Sequence, residues 1–181
     1  MRDALLPAAA VDHTGVSEPA PESFEAYVTR RAPALWRSAW LLTGDHHRAD
    51  DLVQSALTKC WPRWAKISRN HTHEAYVRRA MATIYTDWRR RRWTGETPTE
   101  RLPAPVAVDE AERSQQRYDL LAALATLPRS QRAVIVFRYF DDLTEKQTAE
   151  VLGISVGTVK SQTSRALRTL RTSTLISEEW Q

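Results

Sequence analysis

The sequence predicts an all-α protein in which two small helical domains are joined by a flexible linker. Only 5 glycines and few strand-type apolar runs occur among the 181 residues, so the composition favours helices. Apolar residues recur every three or four positions within two blocks, 22–93 and 113–171, which is the period of a helix buried on one face. Between the blocks, residues 94–112 hold three prolines and five acids against one arginine, a composition typical of a linker.

The first block is predicted to form three helices. An apolar stripe from Phe24 to Leu42 marks the first, and Gly44 is a suitable C-terminal cap for it. The second helix carries an unbroken stripe from residue 49 to residue 64, and Pro62 should end or kink its last turn. A polar loop over residues 66–74 then leads to a third helix, 75–93, which ends in arginines.

The two ends of the chain, residues 1–21 and 172–181, show no helical period and are predicted to be tails. The short apolar stretch near the start is broken by Pro7 and followed by Asp12, so it is too short for a signal peptide or a membrane span. The single cysteine, Cys60, excludes an internal disulfide and a cysteine-based zinc site. We therefore expect a cytoplasmic protein without membrane insertion.

The second block is predicted to contain four helices, of which the last two form a helix-turn-helix. Thr144 and Gln147 have the spacing of a capping box, and Gly153 can supply the left-handed residue of a tight corner. Ser155 can cap the following helix, 156–170, through its hydroxyl. Caps and a corner at this spacing are typical of the motif.

The last helix should bury Val159, Ala166, Leu167 and Leu170 and present a polar face without acids. Short hydroxyls, a glycine and long cations are the groups that a recognition helix places against DNA. A solvated face of a helical bundle is the alternative, but the agreement of caps, corner and charge favours DNA binding. The predicted DNA-binding residues of this helix are Gly157, Thr158, Lys160, Ser161, Ser164, Arg165 and Arg168.

Residues 143–171, together with Leu127-Pro128 and Phe137-Arg138-Tyr139, resemble region 4 of the extracytoplasmic-function (ECF, group IV) sigma factors of the sigma-70 family, in the sigma-E-like subgroup. The resemblance implies that the second helix of the motif binds the −35 promoter element as duplex DNA. Gln162 departs from the family pattern, which often has arginine there.

The first block resembles region 2 of the same family, in which residues 45–64 would bind the clamp helices of core RNA polymerase. The resemblance assigns this contact to Asp50, Asp51, Leu52 and Gln54. Taken alone, the two acids could instead complement the dipole of the helix that they begin. Ser55 replaces the acid that is usual after the glutamine.

Residues 66–93 resemble the part of the family that melts the −10 promoter element and binds it as single-stranded DNA. Such binding needs cations and aromatic faces, and the tract from 76 to 93 has six arginines and one acid. A solvated helix end and core packing are the alternatives for the arginines and the aromatic residues. The predicted DNA-binding residues of this segment are Tyr85, Arg89, Arg90, Arg91, Arg92 and Trp93.

We predict no enzymatic activity, no cofactor and no metal, because phosphate loops, metalloprotease motifs and Cys–His pairs are lacking in the sequence. The predicted function is that of an alternative sigma factor, which binds core polymerase, recognises both promoter elements and promotes melting. The resemblance also implies an anti-sigma factor as a partner. The alternatives are a stand-alone helix-turn-helix regulator and a module whose basic faces bind an acidic protein.

Overall fold

A computed structural model describes residues 21–70, 72–92 and 108–172, with the backbone alone at 89–92 and 108–114. The predicted all-α fold is confirmed, since these residues contain helices and no strand. Trp93, most of the predicted linker and the predicted tails lie outside the described residues, apart from Pro21 and Thr172.

The N-terminal block consists of four α-helices. They are α1 (Phe24–Thr43), α2 (His46–Cys60), α3 (Trp64–Arg69) and α4 (His73–Arg92), with a 3₁₀ turn, Trp61–Arg63, between α2 and α3. Ser23 caps the start of α1, and Gly44 ends it in the left-handed conformation with φ 73°, as predicted. The polar loop predicted for residues 66–74 is wrong, because α3 occupies its first half and α4 begins at His73.

The C-terminal block also consists of four α-helices. They are α5 (Val108–Ala125), α6 (Arg129–Ile135), α7 (Glu145–Leu152) and α8 (Val156–Thr172), and α6 continues into a π-helical turn, Val136–Phe140. The start of α5 lies five residues before the predicted start of this block, within the segment predicted as linker. Helix α8 begins at the predicted residue and ends two residues beyond the predicted end.

The two blocks pack against each other around a shared hydrophobic core. This core includes Leu42, Leu52 and Tyr85 of the first block and Leu124 and Phe137 of the second. Helix α7 lies directly on α4, and α1 contacts α6 and the π-helical turn. The helix-turn-helix is therefore held on the surface of the N-terminal block in this structure.

Polar contacts also join the blocks. The Asp141 carboxylate accepts hydrogen bonds from the Ser38 hydroxyl and from Arg78 Nε, the latter at 3.3 Å. Arg132 donates to the carbonyl oxygen of Leu42 at 3.2 Å, and burial lowers the pKa of its guanidinium. The side chain of Asp141 therefore lies between the two blocks.

Candidate nucleic-acid interface

The corner of the helix-turn-helix is formed by the residues that the sequence predicts. The Thr144 hydroxyl accepts from the amide of Gln147 at 3.2 Å, and the Gln147 side chain accepts from the amide of Thr144 at 2.9 Å. Gly153 has φ 67° and ends α7, and the amide of Thr158 donates to the Ser155 hydroxyl at 3.1 Å. The capping box, the left-handed corner and the cap of α8 are thus confirmed.

A small core fixes α8 at this corner. Val159 of α8 is fully buried against Val134 of α6 and Ala149 of α7, with Ile154 packed beside them. Ala166 is also fully buried. Leu167 and Leu170, which were predicted to be buried, are half-buried. The inner face of α8 therefore determines which of its residues remain outside.

The outer face of α8 is polar and exposed, as predicted. Thr158 alone among its predicted site residues is half-buried, and its hydroxyl lies 2.9 Å from that of Ser155. A methyl group at Gly157 would meet nothing closer than the Ser155 hydroxyl at 3.8 Å, so a DNA backbone could approach closely there. The exposed site residues are Gly157, Lys160, Ser161, Ser164, Arg165 and Arg168.

No acid lies on α8 itself, and one acid of α7 comes near its outer face. Lys160 Nζ is 3.7 Å from a Glu145 carboxylate oxygen, and the two side chains are 64% and 38% exposed. An ion pair this exposed contributes little and breaks readily. Lys160 can therefore leave Glu145 and reach a phosphate at little cost in free energy.

Tyr85 of α4, predicted as a DNA contact, is only 1% exposed, and this prediction is wrong for the structure described here. The guanidinium of Arg129 covers its ring at 5.0 Å and donates to its carbonyl oxygen at 3.3 Å. Tyr85 follows Val77 and Met81 at intervals of four, and both are fully buried. This spacing places Tyr85 on the buried stripe of α4, a signal that the sequence already contained.

The arginine run lies at the C-terminal end of α4. Arg89–Arg92 are helical in backbone, whereas their side chains and Trp93 lie outside what the structure describes. Of the two earlier arginines, Arg78 is engaged by Glu74 at 2.8 Å and by Asp141, while Arg79 is exposed. Arg79 is not among the residues predicted to bind DNA, and its exposure makes it a further candidate for such a contact.

The residues predicted to bind polymerase divide between the surface and the core of α2. Asp50, Asp51 and Gln54 are exposed. Leu52 is fully buried within the hydrophobic core, so its predicted contact with a partner is wrong. It belongs to the apolar stripe, where a leucine contributes by packing rather than by binding.

The helix-dipole explanation of the two acids does not fit the start of α2. The N-cap is Asp45, whose carboxylate accepts from the amide of Arg48 at 2.7 Å, and the first turn contains no acid. Asp50 and Asp51 are the fifth and sixth residues of the helix, beyond the first turn in which the dipole acts. A surface role for these carboxylates is the better explanation.

The described residues show no grouping of His, Cys, Asp and Glu that could hold a metal ion. None of the helices in the described part of the chain is long and apolar enough to cross a membrane.

Comparison with known proteins identifies relatives along most of the chain. A family model described as "Sigma-70, region 4" matches residues 117–170. The RNA polymerase sigma-E factor of Streptomyces coelicolor is 42% identical over 148 residues, covering 82% of this chain and 84% of its own. The ECF RNA polymerase sigma factor SigL of Mycobacterium tuberculosis is 34% identical over 151 residues, covering 81% and 85%.

Among solved structures, the fold is similar to that of the sigma factor RpoE from Bartonella quintana, which was crystallised with the anti-sigma factor NepR. The TM-score is 0.64 at 25% identity, over 82% of this chain and 94% of the other.

Proposed function

Because the chain belongs to the ECF RNA polymerase sigma factors of the sigma-70 family, we propose that its exposed helix faces divide the work of promoter recognition between them. The protein is an alternative sigma factor. The main support for this division of roles is the exposed, acid-free face of α8, which follows the capped corner of the helix-turn-helix.

Helix α8 enters the major groove of the −35 element. Its short Ser161 and Ser164 side chains permit close approach, and Lys160 and Arg165 reach base edges and phosphates. Arg168, one turn further along the same face, adds a phosphate contact. The support is the exposure of these side chains on one face, together with the family match over residues 117–170.

The polymerase contact is made by Asp50, Asp51 and Gln54 of α2. All three are exposed on a helix that the buried stripe of Leu52 and Ala56 fixes in the core. Carboxylates held on a rigid helix suit a cationic partner surface, which we assign to the clamp helices of core polymerase.

The end of α4 binds the −10 element as single-stranded DNA. The basic run Arg89–Arg92 supplies the charge, and Trp93 supplies a ring on which a base can stack. Arg79 extends the positive surface along the helix. Tyr85 takes no part, because its ring is buried.

We further propose that the protein acts in the cytoplasm and without catalysis of its own, as its sigma-factor relatives suggest. An anti-sigma factor is a further class of partner, since the solved structure of Bartonella quintana RpoE contains one.

Reconstituted transcription tests the proposal. Purified chain and core polymerase are incubated with a library of genomic promoter fragments, and specific transcripts are expected only when both proteins are present. A chain that protects a palindromic site by itself and yields no transcript with core polymerase would instead be a stand-alone regulator.

Two variants test the division of roles within the same assay. Arg165→Ala should weaken promoter binding by the holoenzyme and reduce its salt slope by about 1, whereas Arg117→Ala, which removes an exposed arginine of α5, should not. Asp51→Ala should weaken core binding and leave the promoter preference of the remaining holoenzyme unchanged. Equal loss of both activities would indicate misfolding rather than a lost contact.

A further inference from the structure

An aromatic cluster lies beside the exposed acids of α2. Trp36 and Trp40 of α1 are stacked, with ring centroids 6.0 Å apart and planes inclined by 14°. The ring of His46, the first residue of α2, lies 5.0 Å from that of Trp36 and 5.9 Å from that of Trp40. Both tryptophans are half-buried and His46 is exposed, so part of this cluster faces solvent.

Trp36 also forms a hydrogen bond with Asp50, one of the exposed acids. Its indole N–H donates to Asp50 Oδ1 at 2.7 Å. An exposed carboxylate otherwise samples several rotamers, and fixing it costs entropy when a partner binds. The indole of Trp36 reduces that entropic cost, because it already holds one oxygen of Asp50 in place before a partner binds. A carboxylate accepts several hydrogen bonds, so Asp50 retains acceptor capacity for a partner.

The cluster and the acids form one continuous surface. His46, Asp50 and Gln54 follow each other at intervals of four on α2, which places them on the same side of the helix. Trp36 and Trp40 are likewise four residues apart on α1. The aromatic rings therefore flank the polar face to which the polymerase contact is assigned.

This chemistry fits an arginine better than a lysine. A guanidinium can donate to a carboxylate and lie flat on an indole at the same time, whereas an ammonium is a strongly hydrated point charge. Tryptophan and arginine are also enriched among the residues that contribute most to binding at protein interfaces.

We propose that Trp36, Trp40 and His46 extend the polymerase-binding surface of α2, and that Trp36 is the positioning residue that holds Asp50 for an arginine of core polymerase. The proposal rests on the assignment of this face of α2 to core polymerase. It adds a second helix, α1, to that contact and gives the aromatic cluster a role in binding.

A double-mutant cycle with the full chain and purified core polymerase tests the coupling. Trp36→Phe keeps an aromatic ring and removes the N–H, and it should lower the affinity for core about three- to tenfold, the range expected from the net contribution of one ordinary hydrogen bond. Asp50→Ala should lower it at least as much. In the Asp50→Ala background, Trp36→Phe should have little further effect.

Trp88→Phe is the matched control, because Trp88 is half-buried like Trp36 but lies on α4, outside the segment assigned to core polymerase, and packs against the hydrophobic core. It should leave the affinity for core unchanged. Thermal unfolding of each variant separates binding from folding. Asp50→Asn, which still accepts from the indole but carries no charge, should weaken binding without loss of stability.

Equal losses from Trp36→Phe in the wild-type and Asp50→Ala backgrounds would overturn the positioning role. An unchanged affinity for Trp36→Phe, with a reduced affinity for Asp51→Ala, would overturn the inference and leave the polymerase-binding role of α2 intact. If the wild-type chain does not bind core polymerase at all, the proposed function fails and the inference fails with it.

Discussion

Tyr85 shows how an aromatic residue next to arginines can belong to the interior. Its position on the stripe of Val77 and Met81 could be predicted from spacing alone. The contribution of Arg129 could not be predicted, because it comes from the other block and no local pattern links the two positions. Burial raises the pKa of Tyr85, and Arg132 and Arg129 offset part of that rise.

The Tyr85 hydroxyl is buried without a hydrogen-bond partner. Tyr85→Phe should therefore leave the free energy of unfolding unchanged or raise it by up to about 1 kcal/mol, because an unsatisfied polar group is removed. Tyr85→Ala should lower it by about 3 kcal/mol or more through the cavity that it leaves. Urea unfolding measures both effects. Loss of promoter melting by a fully stable Tyr85→Phe variant would restore the hydroxyl as a DNA contact.

Cys60 is fully buried at the end of α2, and burial raises the pKa of its thiol to about 11, with Lys59 offsetting part of the effect. The folded chain thus favours the protonated thiol. The contribution of this thiol to the free energy of unfolding is fully present below about pH 9, which is the pKa of an unperturbed thiol, and it is lost as the pH rises towards 11. Cys60→Ala should lose less stability than wild type between pH 8 and 10.5, measured by urea unfolding. An identical decline in both proteins would contradict this assignment.

At the level of elements, the sequence predicts best the structure that neighbouring residues determine. The corner between α7 and α8 depends on Thr144, Gln147, Gly153 and Ser155, which lie within twelve residues of each other. Their hydrogen bonds are local, so residue type and spacing are sufficient to predict them. The half-burial of Leu167 could not be predicted in this way, because it depends on how much of α8 its neighbours cover.

Helix α3 could not be predicted, because contacts with distant residues, rather than with neighbouring ones, stabilise it. It has six residues, fewer than two full turns, so its apolar residues do not repeat often enough to show a period. Trp64 and Ile67 are buried, and the Ser68 hydroxyl donates to the carbonyl oxygen of Glu22 at 2.7 Å, forty-six residues away. Tertiary contacts of this kind, rather than local propensity, stabilise the helix.

Replacing the two glycines of the helix-turn-helix by alanine should change the stability of the protein in opposite directions. Gly157→Ala places a methyl group in open space within α8, so it should raise stability by about 0.5–1 kcal/mol and lower promoter affinity by obstructing the DNA. Gly153→Ala forces alanine into φ 67° and should cost about 1 kcal/mol. Thermal unfolding and holoenzyme binding to promoter DNA measure the two effects. Unchanged promoter affinity for Gly157→Ala would place the DNA away from this end of α8.

At the scale of the whole molecule, the packing of the two blocks was not predictable from the sequence. Ser38 and Asp141 are separated by 103 residues, and each reads as an ordinary polar residue in its own helix or turn. Helical period identifies the inner face of each helix, but it does not distinguish a partner within the block from one in the other block. The two helical domains of the prediction therefore pack, in this structure, around one shared core.

Asp141 offers a direct test of this packing. Its side chain and that of Arg78 are 10% and 13% exposed, and losing one charge of a buried pair typically costs about 3 kcal/mol or more. Asp141→Asn keeps an acceptor for Ser38, so we expect a smaller loss, about 1–3 kcal/mol, with an increase in the radius of gyration as the blocks separate. Urea unfolding and small-angle X-ray scattering measure the two quantities.

Asp142→Asn is the matched control for Asp141→Asn. Asp142 is the next residue, is exposed, and has φ 53°, a conformation that asparagine adopts readily. It makes the same change in net charge and should alter neither stability nor dimensions. If both variants behave alike, the contact of Asp141 with Ser38 and Arg78 does not hold the blocks together, and the apolar surfaces of α1, α4, α6 and α7 must do so without it.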